Sequence, residues 1–176
     1  MRRNWNYTIR KKDGIDLMQI NRTTDYALRI LICLGKENRT VPSSEIANSM
    51  KISQRYLLSI ARGLKNQGYT KVGFGPDGGY SLARPLNMIS LYDIIILMEG
   101  TVTISRCLTQ ETHCEETPCV LHEGYSFLQN IIECYLRNLT IDMLVNQSTD
   151  TWQKTIVDKL DEILRQNQEK GNPPCQ

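Results

Sequence analysis

The densest group of reactive side chains in this 176-residue chain reads Cys107-x6-Cys114-x4-Cys119-x2-His122, three thiols followed by an imidazole, with His113 beside the second thiol. Thiolates, alone or with imidazole, are soft donors that suit the tetrahedral sites of iron–sulfur clusters and of zinc, and spacing by itself does not choose between the two. The remaining cysteines carry less chemistry. Cys33 and Cys134 fall among apolar residues and read as small core side chains, whereas Cys175 sits in a Pro-rich tail and reads as exposed. The start of the chain lacks the apolar stretch of a secretory leader, and no run approaches the roughly 18 to 20 apolar residues of a membrane span. A cytoplasmic protein with no membrane attachment is expected, its thiols reduced and open to metal or redox chemistry.

A second set of side chains suits recognition rather than ligation. Ser53, Gln54, Arg55, Tyr56, Ser59 and Arg62 fall outside the buried stripe of an amphipathic segment, Leu57, Ile60, Ala61 and Leu64, which sits at helical spacing. Arg and Gln form bidentate hydrogen bonds with guanine and adenine edges, and Ser and Lys hold phosphates. Many surface helices carry such residues, so the reading depends on the neighbouring elements. Hydrolytic chemistry is not expected: neither histidine has a Ser or Cys and a carboxylate in the order a triad uses, and no glycine loop precedes a helix as phosphate binding requires. The chain does not read as an enzyme.

Charge points the same way. Residues 1–100 hold 15 Lys and Arg against 8 Asp and Glu, whereas residues 101–176 hold 6 against 11, so the small net charge of +2 conceals a basic half and an acidic half. A polyanion would sit on the first.

The elements that position these residues follow from periodicity. Residues 1–19 form a basic arm without apolar period. A first helix opens at a Thr cap near Thr24, buries Ala27, Ile30, Leu31 and Leu34, and stops at Gly35. A short helix over 45–50, capped by Ser43 or Ser44, is followed by the turn Lys51-Ile52 and a longer helix capped by Ser53 and ended by Gly68. This is the helix-turn-helix pattern, whose second helix enters the major groove. Tyr69–Val72 and Tyr80–Leu82 then read as strands around Gly75-Pro76-Asp77-Gly78-Gly79, which makes a wing with Lys71 placed beside the recognition helix. Ser90 and Asp93 open a further helix ending at Gly100. A long amphipathic helix starts at Pro118 and runs through Leu121, Tyr125, Leu128, Ile131, Ile132, Tyr135 and Leu139. A winged domain of about 65 residues cannot cover so much apolar surface, so a symmetric dimer is expected on this helix. The last helix spans 150–170. The fold class expected is mainly α with a small β-hairpin, a winged helix-turn-helix plus a long dimerisation helix. Its divisions are the arm at 1–19, the DNA-binding domain at 20–85, the linker helix, cysteine loop and dimerisation helix at 86–146, and the C-terminal helix and tail at 147–176.

Several local motifs together resemble a known family. Thr24-Asp25-Tyr26-Ala27-Leu28-Arg29, Glu45-Ile46-Ala47 before Ile52-Ser53-x-x-Tyr56-Leu57, Gly78-Gly79-Tyr80-x-Leu82-Ala83 and Leu91-x-Asp93-Ile94 are similar to those of the Rrf-two winged-helix regulators, which include IscR-like and NsrR-like members. The resemblance spans about residues 18–145. It implies a homodimeric transcription regulator, in most cases a repressor, that binds a palindromic promoter site in double-stranded DNA and senses iron–sulfur, redox or nitric-oxide status. In IscR-like members three Cys and a His hold a 2Fe-2S cluster, which carries over to Cys107, Cys114, Cys119 and His122. The middle Cys here lies one residue closer to the third than in that pattern, which leaves His113 as a substitute ligand. NsrR-like members take an acidic ligand from the partner's first helix, here Asp25. A basic residue common at the wing tip is replaced by Phe74, so DNA contact would lean on Ser53, Gln54, Arg55, Tyr56 and Lys71. Cluster occupancy would order residues 105–122 and set the spacing of the two recognition helices. Zinc, bare thiols or a partner protein remain alternatives to the cluster, and a protein-interaction module with structural zinc remains an alternative to DNA binding.

Overall fold

The computed structural model describes residues 20–75, 78–109, 119–146 and 149–169. Helix α1 (Arg22–Glu37) is capped by Asn21, whose side-chain oxygen accepts the Thr24 N–H at 2.9 Å, so the cap lies three residues before the Thr expected from sequence. Its buried stripe is the expected one, Ala27, Ile30, Leu31 and Leu34. The helix does not stop at Gly35. It continues to Glu37 and ends at Asn38, which takes the left-handed conformation (φ 48°) that Asn tolerates. Gly35 serves packing instead: a Cβ there would lie 2.8 Å from Leu86 Cδ1 and 3.3 Å from Val145 Cγ2, so the missing side chain admits both neighbours.

Helix α2 (Ser43–Ser49) follows Pro42, and neither serine caps it through its side chain. The turn to α3 (Gln54–Asn66) passes through Lys51 at φ 54°. Ser53 caps α3 as expected, accepting the Tyr56 N–H at 3.3 Å, and Leu57, Ile60, Ala61 and Leu64 are buried. Gly68 (φ 70°) turns the chain into β1 (Thr70–Gly73), which pairs antiparallel with β2 (Gly79–Leu82) in the register Val72 opposite Tyr80. Val41 adds an isolated bridge to Tyr80, its N–H donating to the Tyr80 carbonyl at 2.8 Å and its carbonyl accepting at 2.9 Å. This bridge joins the start of the helix-turn-helix to the base of the wing.

After a 3-10 turn at Leu86–Met88, α4 (Leu91–Glu99) opens with the expected Ser90–Asp93 capping box and ends at Gly100 (φ 80°). Helix α5 (Val120–Asn138) terminates one residue earlier than its apolar pattern suggests. Leu139 leaves the helix because its carbonyl accepts the Leu91 N–H at 2.9 Å while Ile141 N–H donates to Ile89 at 2.9 Å. The chain then returns to α1 as α6 (Ile141–Asn146), an element too short to show a period, before α7 (Thr149–Glu169) packs along α5. One core cluster includes Ala27, Leu57, Tyr80, Ile89, Ile94 and Ile141, so the hydrophobic core crosses the division expected at residue 86.

The position of Gly79 can be tested. A Cβ there would run into the backbone of Val41 and Pro42, which cannot rotate away as a side chain would. The substitution Gly79→Ala is expected to lower stability by about 3 kcal/mol, the upper end of the overpacking range, as read from chemical denaturation. An unchanged midpoint would show that the wing base is not held against Val41.

Candidate nucleic-acid interface and cysteine loop

Helix α3 carries Arg55, Arg62 and Lys65 and no acidic residue. Ser53, Gln54, Arg55, Ser59 and Arg62 are exposed along one side of it, with Leu58 between them. Among the described residues, Arg55, Arg62 and Lys71 meet no carboxylate. Arg29 is instead paired with Asp25 at 2.7 Å, and Arg39 with Glu37 and Glu45 at 2.9 and 2.5 Å. Those carboxylates hold both guanidinium groups above the ordinary arginine value. Cations left unpaired on one face form a site for phosphate oxygens, whose counterions they displace.

The predicted contact residues separate on inspection. The Gln54 amide donates to Ser43 Oγ at 2.8 Å, which joins α2 to α3. The Tyr56 hydroxyl lies 3.1 Å from Thr23 Oγ1 and its ring meets Tyr26 edge-on at 5.8 Å, so the half-buried side chain packs toward α1. Position 56 precedes Ile60 and Leu64 by four and eight residues, which places it at the margin of the buried stripe. Lys71 is exposed on β1 opposite Ser81, and Phe74 projects with 91% of its surface accessible. Arg84, which sequence reasoning passed over, ties the wing base to the end of α3 by donating to the Gln67 carbonyl at 2.6 Å and lying over the Tyr69 ring at 4.7 Å.

In the cysteine loop, Cys107 lies in a 3-10 turn (Arg106–Leu108) capped by Ser105, whose Oγ is 3.2 Å from the Cys107 sulfur. Cys119 is the N-cap of α5 without a side-chain capping bond, and His122 is exposed in the first turn. His122 Nδ1 lies 3.1 Å from the Cys107 carbonyl oxygen. A carbonyl only accepts, so this bond requires the proton on Nδ1 and leaves the Nε2 lone pair for a ligand, the arrangement typical of metal-bound imidazole. Cys114 and His113 lie outside the described residues. Among the described residues no three His, Cys, Asp or Glu side chains converge as a metal site. Asp25, the alternative acidic ligand, is committed to Arg29.

Cys33 and Cys134 are half-buried rather than fully interior. Burial pushes the Cys33 thiol up, and Glu37 and Glu45 add to it, so little thiolate forms at neutral pH. The Asn138 amide donates to the Cys134 carbonyl at 2.8 Å.

Two further residues, not apparent from sequence, hold the loop. Gln129 on α5 accepts the Ile104 N–H at 3.0 Å and donates to the Val102 carbonyl at 3.4 Å. Glu99 at the end of α4 accepts from Thr24 Oγ1 at 2.7 Å and from the Asn21 N–H at 3.2 Å. Glu99 also borders an apolar cleft of about 470 Å³, walled by Ile95, Val102, Ile131, Tyr135 and Leu160.

Three helices and a hairpin, with an acid-free second helix of the turn motif exposed, define a winged-helix DNA-binding transcription regulator. Residues 20–147 match the family described as Rrf2, iron-dependent transcriptional regulator, and the chain belongs to that family. An HTH-type transcriptional regulator of Aquifex aeolicus is 32% identical over 128 residues, covering 70% of this chain and 89% of that protein. The HTH-type transcriptional regulator IscR of Pectobacterium atrosepticum is 28% identical over 146 residues, 77% of this chain and 88% of IscR. Among solved structures, that of CymR, the global cysteine regulator of B. subtilis, superposes with a TM-score of 0.65 at 26% identity over 74% of this chain and 98% of CymR. These relatives are regulators, not enzymes. No described helix is long and apolar enough to cross a membrane.

The inward placement of Tyr56 gives a direct prediction. Tyr56→Phe keeps the ring packing and removes the bond to Thr23, so stability should fall by about 1 kcal/mol. Thermal denaturation reads the difference, and a variant as stable as the parent would release the hydroxyl from a structural role.

Proposed function

We propose that the chain is a homodimeric repressor that reads a palindromic promoter site through α3 and adjusts its affinity by an iron–sulfur cluster, 2Fe-2S in type, held on the cysteine loop. The observation that carries the DNA-binding part is the acid-free, unpaired cationic face of α3. Arg55 and Gln54 stand at its N-terminal end, where base edges are reached, and Ser53, Ser59, Arg62 and Lys71 are placed for phosphates. Tyr56 acts by seating the helix. Dimerisation is assigned to α5, a 19-residue helix with no buried residue in the single chain and with Val120, Leu121, Tyr125 and Leu128 exposed. A partner helix would cover them, and twofold symmetry would match the two half-sites.

The donors Cys107, Cys119 and His122 have the chemistry a cluster needs, and the bond between His122 and the Cys107 carbonyl draws the two ends of the loop together. In this reading Cys114 completes the set, with His113 as its substitute. A cluster bound there would supply a redox-sensitive or nitrosylation-sensitive centre. The chain itself supplies the orientation of His122 and the hydroxyl of Ser105 beside the Cys107 sulfur. A cluster-free regulator using bare thiols is favoured by one observation, that the described donors do not by themselves converge.

Binding to a duplex from the chain's own upstream region should weaken steeply with salt, and Arg62→Ala should reduce the slope of log affinity against log salt by about 1. Equal affinity for an unrelated duplex would overturn the repressor reading. Anaerobically purified protein should contain iron and sulfide with visible absorbance, lost in Cys119→Ala. One zinc per chain without sulfide would select the zinc alternative.

A further inference from the structure

We propose that Glu99 is a positioning residue that fastens the end of α4, where the cysteine loop departs, to the N-terminus of α1, and so ties the conformation of residues 101–109 to the seating of α3. The proposal rests on the reading of α3 as the DNA-binding helix.

Glu99 is misplaced for its own helix. A carboxylate in the last turn of α4 faces the negative end of the helix dipole, which disfavours it there. Its side chain is stabilised across the fold at the positive end of α1, where it accepts the Asn21 N–H and the Thr24 hydroxyl. The Thr24 hydroxyl has one proton and two acceptors in reach, Asn21 Oδ1 at 3.2 Å and Glu99 Oε1 at 2.7 Å. The shorter, charged bond takes it. Asn21 Oδ1 is then left to cap the Thr24 N–H. Thr24 is fully buried, so water cannot replace Glu99 without opening the structure.

The residues on either side of this contact lead in two directions. Toward DNA, the neighbouring Thr23 holds the hydroxyl of Tyr56 on α3. Toward the loop, Gly100 ends α4 and Gln129 pins the backbone of Val102 and Ile104 to α5, three residues before Cys107. The segment between Gly100 and Ile104 is therefore anchored to α1 at one end and to α5 at the other. A displacement of the loop relative to α5 is taken up within a few residues or passed to Glu99, and from there to the helix against which Tyr56 rests.

Coupling of this kind is reciprocal, so DNA must alter the loop if the loop alters DNA binding. The experiment is hydrogen exchange followed by mass spectrometry on the full chain, free and bound to a duplex from its own upstream region. In the unmodified protein DNA should slow exchange in α3 and also change it in residues 101–109, by about tenfold. Glu99→Leu should keep the α3 protection and lose the loop response, whereas Glu99→Gln, which retains an acceptor oxygen, should restore it. Thr24→Val removes the partner hydroxyl at constant shape and should reproduce the loss, which preserves the test if Glu99→Leu does not fold. A loop response that persists in Thr24→Val and Glu99→Leu, or that is absent from the unmodified protein while α3 is protected, overturns the proposal. Absence of protection in α3 overturns the DNA-binding reading and the proposal with it.

Discussion

The buried face of α1 is the constraint on which the rest of the molecule depends. Ala27, Ile30, Leu31 and Leu34 are at most 1% exposed, and α3, α4, α6 and β2 all pack against this helix. Each fully buried Leu or Ile contributes on the order of 1.5–3 kcal/mol, an upper estimate because an unfolded chain already buries part of that surface. The same helix thus supports α3, α4, which leads toward the cysteine loop, and α6. Gly35 leaves room for Leu86 and Val145 beside it.

Electrostatics divides the surface of this head by pairing rather than by count. Arg29 and Arg39 are neutralised locally by exposed carboxylates, contacts that add little to stability in water. The guanidinium groups of α3 have no such partners among the described residues. Repulsion among them is tolerable in solvent and is relieved when phosphates arrive, so the unpaired charge is better understood as a preparation for binding than as a contribution to the fold. Phe74 at the wing brings exposed area without charge.

Among the described residues, hydrogen bonds of Gln129 and His122 hold the segments that flank the cysteine loop. Such anchors are individually worth about 1 kcal/mol, so a ligand's binding energy is large enough to remodel them. That modest scale contrasts with the tightly packed core around α1.

Much of this was legible in the amino-acid order. Helical spacing identified the buried stripes of α1 and α3, the Ser53 cap and the Ser90–Asp93 box marked helix starts, and the glycine-rich turn between alternating strands marked the wing. These signals are local, and local propensity agreed with the fold. What only tertiary structure decided involves partners distant in sequence. Gly35 reads locally as a stop but is a packing contact with Leu86 and Val145. Tyr56 reads as a recognition residue, and its contacts with Thr23 and Tyr26 appear only in the folded chain. Leu139 leaves an apolar helical pattern because Leu91 offers it a backbone bond, and Glu99 looks like a surface carboxylate until the N-terminus of α1 is brought to it from 75 residues away. Sequence determines which side chains are available and where the chain turns; which polar groups meet is settled only when the core brings their helices together.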